Sequence, residues 1–265
     1  MNTIEIIKKA VSLPFRAYKG FILVTFLFFV SEVINETNNL GTINELTPIK
    51  LVIGGIISII VLGISIAIVY HYIFDSFDVR EVSIKYTTKV GFRDTLTELY
   101  YYLLTFLSTG IICYALGIYR NIDSILNNFE YIDTKLHTLT LPKLINLLSP
   151  DTYQHLAFSV MVTLAVFMIM FAIFFSYCSL AKIRLKETES LKESMNFIKL
   201  TKIIRKNGIK KYLNFVILTL IVFSVALMLM KTLESYFIVG SLISALAEAF
   251  GLFFILDSFS LFYFT

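Results

Sequence analysis

Charged residues and cysteines are scarce in this 265-residue sequence, and tryptophan is absent. Only 16% of the residues are charged, whereas 57% are hydrophobic, and the mean hydropathy is +0.78. A soluble core of this length cannot bury so much apolar surface. Cys113 and Cys178 both lie inside apolar runs, which excludes a disulfide framework and a Cys-x-x-Cys metal site. We expect both thiols to pack as small hydrophobic groups.

Motifs for catalysis and nucleotide binding are also missing. The sequence contains no Gly-x-Ser-x-Gly, His-Glu-x-x-His or Gly-x-x-x-x-Gly-Lys pattern. Its three histidines, His71, His137 and His155, do not have the spacing of metal ligands. We therefore expect no catalytic, cofactor-binding or metal-binding site, and we predict that the protein is not an enzyme.

Long apolar runs make up most of what is present. Four of them contain no Asp, Glu, Lys or Arg and are long enough to cross a bilayer. A weaker run, residues 20–34, contains Glu32, and its length also fits the core of a signal peptide. We predict an all-α membrane protein with one integral membrane domain over residues 1–265 and about six transmembrane helices. The predicted segments are spans at 20–34, 51–74, 99–119, 156–181, 212–230 and 236–262, an external loop at 120–155 and a basic cytoplasmic loop at 182–211.

Basic residues are distributed unevenly between the two sides of the predicted membrane domain. The six spans place eighteen Lys and Arg residues on one side and five on the other. Because basic loops remain in the cytoplasm, we predict a plasma-membrane protein with both termini cytoplasmic. The sequon Asn35-Glu36-Thr37 would then face outward, which makes Asn35 a possible glycosylation site.

The densest basic segment runs from Lys182 to Lys211 and holds ten of the 23 Lys and Arg residues. It connects two predicted spans, so anionic lipids or a cytoplasmic protein partner explain its charge better than nucleic acid does. Ser190 and Glu193 have the spacing of a capping box, and Gly208 is expected to end a helix. We therefore predict an ordered segment.

The predicted spans pair into three hairpins, each preceded by a basic, partly amphipathic lead-in segment. Alignment on Phe21, Tyr100 and Tyr212 gives a plausible repeat with one insertion at the external loop. The first lead-in places apolar residues on one helical face, which we expect to lie along the inner membrane surface. These residues are Ile4, Ile7 and Val11.

The second lead-in fits two kinds of secondary structure. A helical face is formed by Val79, Val82, Tyr86 and Val90. The alternation of Val82, Ile84 and Tyr86 also fits a strand. In the preceding span, Gly54 and Gly55 are expected to allow close helix packing.

Glu248 is the one ionisable residue near the middle of a predicted span, where a carboxylate costs roughly 2.5–3.5 kcal/mol. Gly240, Ser244, Glu248 and Gly251 share a helical face small enough to admit a neighbouring helix. Glu248 either lines a polar path as a proton- or cation-responsive group, or hydrogen-bonds a neighbouring span in its protonated form. Asp257 lies on the opposite side of the helix, so the two carboxylates cannot form a dyad.

Three groups of local patterns occur along the chain. The first two are Ile4-Glu5-Ile6-Ile7-Lys8-Lys9 running into Leu13-Pro14-Phe15 and the Gly-rich second span ending in Val69-Tyr70-His71-Tyr72. The third, in the basic segment, is the set Ala181-Lys182-Ile183-Arg184, Leu191-Lys192-Glu193-Ser194-Met195-Asn196-Phe197 and Lys210-Lys211-Tyr212. Together they resemble a family of uncharacterised multi-pass membrane proteins of methanogenic archaea, classed as a domain of unknown function. The resemblance covers nearly the whole chain, implies an archaeal plasma-membrane protein and supplies no activity.

Two functional hypotheses follow from these patterns. The leading one is a non-enzymatic membrane protein, structural or accessory, whose basic cytoplasmic face docks on anionic lipid or on a cytoplasmic protein. The alternative is a transporter or permease subunit in which Glu248 lies in a polar path. An intramembrane enzyme ranks third, because no catalytic motif supports it.

Overall fold

The computed structural model describes residues 1–39, 48–74, 84–118, 150–232 and 237–265. Within these residues all the regular structure is helical and no strand is present, which confirms the all-α prediction. The helices are α1 (Thr3–Arg16), α2 (Tyr18–Asn39), α3 (Pro48–Phe74), α4 (Ile84–Ala115), α5 (Pro150–Thr188), α6 (Leu191–Ser194), α7 (Phe197–Asn207), α8 (Ile209–Lys231) and α9 (Phe237–Tyr263).

Five of these helices are long and apolar enough to cross a membrane: α3, α4, α5, α8 and α9. The pair α1 and α2 would provide a sixth span if its two parts, which are bent by 77°, are counted together. Many large apolar side chains on these helices are exposed, including Phe106, Met161 and Ile217. A bilayer would cover such side chains, whereas a soluble protein would present them to water.

The bend between α1 and α2 follows from the local sequence. Asn2 caps α1 in a reciprocal capping box with Glu5, in which each side chain accepts a hydrogen bond from the other residue's backbone N–H. The last turn contains Pro14, which has no backbone N–H and therefore cannot donate a helical hydrogen bond. Ala17 leaves the helical conformation, with φ −97° and ψ 33°, and α2 starts at the next residue in a new direction.

The described residues fall into two compact units. The first unit comprises residues 1–99 and 176–265, and it is built around α9. This helix packs against α1, α2, α3 and α8. At the α8–α9 contact the ring of Phe215 lies 5.0 Å from that of Phe259 and 4.8 Å from that of Phe262. All three side chains are buried, so aromatic packing forms the core of this unit.

The second unit, residues 100–175, contains the second half of α4 and most of α5. A row of aromatic rings joins the two helices: Phe106 lies 5.5 Å from Phe167, which lies 6.1 Å from Phe171. Thr105 and Thr109 donate hydrogen bonds to the carbonyl oxygens four residues earlier, so their buried hydroxyls are satisfied within α4.

Helix α4 differs from the prediction for the third span. It begins at Ile84 and ends at Ala115, rather than covering residues 99–119. The described part of the second lead-in is therefore helical, and the strand interpretation is wrong for it. No break separates this lead-in from the span, because residues 84–98 continue the same hydrogen-bonded helix. Val79 and Val82 lie outside the described residues.

Helix α5 is longer than the predicted fourth span at both ends. Its 39 residues give a length of about 58 Å, whereas the bilayer core is about 30 Å thick. Residues 150–155, which were predicted as loop, form its first turns. The rest of the predicted external loop, residues 120–149, lies outside the described residues.

The predicted apolar face of α1 is divided between buried and exposed positions. Ile7 is buried together with Ile6, Ala10 and Leu13, whereas Ile4 is 59% exposed, and the placement of this face along the inner membrane surface stays a prediction. The packing prediction for Gly55 is wrong. Gly55 is exposed, and a Cβ added there would meet nothing within 4 Å. Gly54 lies outside the residues whose side-chain surroundings are described.

Candidate functional site

Lys182 on α5 is the centre of a buried cluster of charged side chains. Its Nζ lies 2.7 Å from Oδ2 of Asp94 and donates a hydrogen bond of 2.5 Å to Oε1 of Glu98. Asp94 is 1% exposed and Lys182 is 8% exposed. The two carboxylates are one helical turn apart on α4, so both reach the same ammonium group. Asp94, Glu98 and Lys182 are called the buried ion cluster below.

Helix α3 also contacts the buried ion cluster. The hydroxyl of Tyr70 donates a 3.2 Å hydrogen bond to the backbone carbonyl of Lys182. Tyr70 is buried, and so is the free thiol of Cys178, which lies one helical turn before Lys182 on α5. A buried ion pair of this kind is weak support for stability as such. The cluster joins α4 to α5, and the hydrogen bond of Tyr70 joins α3 to the same turn of α5.

Asp94 and Glu98 were not among the predicted site residues. Both precede the predicted third span at 99–119, and Lys182 was assigned to the basic segment from Lys182 to Lys211. A signal was nevertheless present, because an acidic pair at positions i and i+4 preceding an apolar run needs a nearby cation if it is buried. The sequence contains no information on which of 23 cations would fill that position.

Several cations of the predicted docking segment have acidic partners. Besides Lys182, both Arg184 and Lys199 contact Oε2 of Glu193, at 2.8 Å and 2.6 Å. Hydrogen bonds from Lys199 and Arg184 hold the pKa of Glu193 below its ordinary value. Stabilisation by this carboxylate is thus complete above its unfolded-state pKa and is lost as the pH falls through its folded-state pKa.

The capping prediction for this segment is wrong in detail, although the predicted end at Gly208 is confirmed. The side chain of Ser190 precedes α6 but makes no capping hydrogen bond, and the carboxylate of Glu193 is bound by Arg184 and Lys199. Asn196 instead caps α7, where its side chain accepts a 3.2 Å hydrogen bond from the N–H of Lys199. Gly208 ends α7 with a φ of 94°, in the left-handed region that favours glycine.

Helix α7 is amphipathic and is attached to the protein along one side. Leu200 and Ile204 are buried, and the ring of Phe197 lies 4.9 Å from that of Tyr177. Nδ2 of Asn207 donates a 2.7 Å hydrogen bond to the carbonyl oxygen of Phe262 near the end of α9. The opposite side carries exposed residues and is called the α7 outer face below. It consists of Ile198, Lys202, Arg205 and Lys206.

Helix α1 has the same division between a buried and a basic side. Lys8, Lys9, Phe15 and Arg16 are exposed, and Phe15 is 73% exposed. Lys9 and Arg16 also act electrostatically on Asp257, which is buried in α9. Both amphipathic helices are thus attached to α9: α1 packs against this helix, and α7 is hydrogen-bonded near its end.

The residues of the predicted intramembrane site lie in different surroundings. Glu248 is exposed, no described residue hydrogen-bonds to its carboxylate, and Glu32 of α2 acts on it electrostatically. Ser244 is half-buried one turn away. Gly251 is buried against α8, where an added Cβ would lie 2.9 Å from Cε2 of Phe223. The structure therefore uses Gly251 for helix packing and leaves Glu248 outside that contact.

The remaining candidate residues lie apart from these sites. Asn35 falls in the last turns of α2, where side chains lie outside the described residues, as does His137. The ring of His71, at the end of α3, packs edge-on against Tyr72, and His155 is exposed on α5. Within the described part of the chain, no three His, Cys, Asp or Glu side chains come close enough to hold a metal ion.

No protein-family model, no curated protein and no solved structure matches this chain. The resemblance to membrane proteins of methanogenic archaea therefore stays a prediction.

Proposed function

We propose that the chain is a non-enzymatic, multi-pass protein of the plasma membrane, structural or accessory, whose basic cytoplasmic face docks on anionic lipid. In this proposal the termini are cytoplasmic, and α1 and α7 lie along the inner surface as lead-in helices to membrane hairpins. The arrangement of three hairpins belongs to the same proposal. The hairpin arrangement is supported by two amphipathic helices, α1 directly before α2 and α7 directly before α8.

The α7 outer face is the observation that carries this proposal. Three exposed cations and the exposed Ile198 occupy one side of a helix whose other side is fixed to the protein. Cations attract anionic headgroups, and an exposed apolar side chain can enter the boundary between headgroups and acyl chains. Because α7 connects α5 and α8, which are both long enough to be spans, it would lie at the membrane surface.

The test compares backbone hydrogen exchange in α7 between nanodiscs of phosphatidylcholine alone and nanodiscs that also contain phosphatidylglycerol. Anionic lipid should slow exchange in α7, and high salt should remove the effect by screening. The triple variant Lys202→Gln, Arg205→Gln, Lys206→Gln should lose the protection. The matched control, Lys202→Arg, Arg205→Lys, Lys206→Arg, keeps every charge and should retain it.

Equal exchange in neutral and anionic nanodiscs would overturn the lipid proposal. The same basic face would then be assigned to a cytoplasmic protein partner, which is the other occupant that its chemistry fits.

A transporter or permease subunit is the second candidate, and one observation favours it. Glu248 presents an exposed carboxylate inside a helix long enough to span the membrane, close enough to Glu32 for the two to interact. A carboxylate facing lipid is costly, whereas one facing a polar path is not. Once Cys113 and Cys178 are replaced by Ala, Glu248→Cys should react with a membrane-impermeant thiol reagent if such a path exists. Absence of labelling from both sides would remove this candidate.

A further inference from the structure

A second basic feature, distinct from the α7 outer face, lies where α3, α4 and α5 meet beside the buried ion cluster. A pocket opens there between the helices, and three cations line it: Lys89 and Arg93 of α4 and Lys186 of α5. Lys89 and Arg93 are one helical turn apart and so occupy the same side of α4. The pocket thus gathers cations from two separate helices.

The surrounding residues hold two of these cations in place. Nζ of Lys186 donates a 3.4 Å hydrogen bond to the hydroxyl of Tyr86 and lies 5.9 Å from the ring centroid of Tyr70. One guanidinium nitrogen of Arg93 donates a 2.9 Å hydrogen bond to the carbonyl oxygen of Glu189. This contact orients the guanidinium group, whose other N–H groups have no partner among the described residues.

The balance of charge in the pocket is positive. Two carboxylates, those of Asp94 and Glu189, also line it. Asp94 is bound to Lys182 at 2.7 Å, and Glu189 is exposed at the end of α5. Among the described residues, four cations stand against three carboxylates even when Lys182 and Glu98 of the buried ion cluster are included. An anion is therefore the charged ligand that the pocket favours.

The walls of the pocket indicate what the anion is attached to. Tyr70, Val90 and Leu185 supply apolar surface beside the cations. Tyr70 and Leu185 lie in the last turns of long apolar helices, at the depth where lipid headgroups join their acyl chains if those helices span the membrane. Guanidinium and ammonium groups bind phosphate through charge-assisted hydrogen bonds. Basic pockets between transmembrane helices on the cytoplasmic side are suited to anionic headgroups.

We propose that this pocket binds the phosphate group of an anionic phospholipid, with Arg93 and Lys186 as its principal contacts and Lys89 at its mouth. The inference deepens the proposed function and rests on its membrane placement, but it uses none of the residues of the α7 outer face. Inorganic phosphate carries the same charged group, but it lacks the apolar part of the lipid that Val90 and Leu185 would contact.

The experiment is native mass spectrometry of the purified full chain in detergent, titrated with short-chain phosphatidylglycerol or phosphatidylcholine. The chain should retain phosphatidylglycerol more strongly, and Arg93→Gln combined with Lys186→Gln should weaken that retention by at least about tenfold, as expected for lost charge-assisted contacts. The matched control, Lys192→Gln with Lys210→Gln, removes the same charge from exposed positions elsewhere and should leave retention unchanged.

Further arms separate the possible outcomes. Lys89→Gln, at an exposed position, should also weaken retention and serves as the second variant if the double variant unfolds in a thermal melt. Inorganic phosphate should fail to displace the lipid, and displacement at matched concentration would overturn the assignment to phospholipid. Equal retention by the double variant and the control would overturn the pocket itself. If anionic lipid failed to slow hydrogen exchange in α7 of the parent chain while the pocket still retained phosphatidylglycerol, only the proposed function would be contradicted.

Discussion

At the scale of single residues, Lys182 shows how a local pattern can mislead. Its neighbours Ala181, Ile183 and Arg184 resemble the start of a cytoplasmic basic loop, yet its side chain turns inward to Asp94 and Glu98. These partners lie 88 and 84 positions earlier in the chain. The basic nature of the segment was predictable from sequence, but the choice of the buried cation was not, because it depends on how α4 and α5 pack.

Lys182→Met should destabilise the protein by about 3–5 kcal/mol, because it leaves Asp94 buried without its cation. Thermal unfolding in detergent measures this change. Adding Asp94→Asn and Glu98→Gln to Lys182→Met should restore most of the lost stability, since the triple variant leaves no uncompensated charge in the cluster. A Lys182→Met variant as stable as the parent chain would show that the ammonium group does not stabilise the buried carboxylates.

At the scale of helices, close packing depends on a glycine that the sequence analysis did not select. A Cβ added at Gly91 would lie 2.3 Å from the carbonyl oxygen of Ile59 and 2.9 Å from Cα of Gly63. Both atoms belong to the backbone of α3, so they cannot move aside as a flexible side chain would. The closest approach of α3 to α4 therefore requires glycine at position 91.

Gly91→Ala should lower stability by about 1–3 kcal/mol through overpacking between the two helices. Gly55→Ala is the matched control on α3, because its added methyl group meets no atom within 4 Å, and it should be neutral or slightly stabilising. Midpoints of thermal unfolding of the two variants provide the comparison. Equal effects of the two substitutions would contradict the packing described for α3 and α4.

The N-terminus of α7 provides a second prediction at this scale. Asn196→Ala removes the capping hydrogen bond to the N–H of Lys199 and should destabilise α7 by about 1 kcal/mol. Ser190→Ala removes a hydroxyl that makes no capping bond and should leave α7 unchanged. Hydrogen exchange of the first turn of α7 distinguishes the two variants, and faster exchange in Ser190→Ala alone would restore the predicted capping box.

The existence of the long helices could be predicted from apolar runs, whereas several of their ends could not. Residues 84–98 and 182–188 are polar, yet residues 84–98 form the first part of α4 and residues 182–188 the last part of α5, each continuous with an apolar run. Tertiary contacts explain part of this extension, because the buried ion cluster satisfies three charges that would otherwise favour solvent. The burial of Ala10 in α1 was not predicted for a related reason: Ala10 is small, and its burial depends on its partner helix.

At the scale of the whole chain, the proposal that α1, α7 and the end of α9 lie on one cytoplasmic side is open to a direct test. Asn207 of α7 binds near the end of α9, and Lys9 and Arg16 of α1 act electrostatically on Asp257 in the same part of α9. We expect Asn2→Cys, Lys206→Cys and Thr265→Cys, each in a chain without Cys113 and Cys178, to react with an impermeant thiol reagent only in inside-out vesicles. Asn121→Cys should react only in right-side-out vesicles, and the reverse pattern would invert the proposed topology.

The contact between α1 and α9 also constrains how the chain is made. Helix α1 packs mainly against α9, although α2 to α8 lie between them in the sequence, so α1 is synthesised well before its principal partner. Until α9 follows, the apolar side of α1, with Ile6, Ala10 and Leu13, must rest on the lipid surface or on a chaperone. Docking of α1 is therefore a late step of folding, and a nascent chain halted before α9 would carry an α1 that has not yet docked.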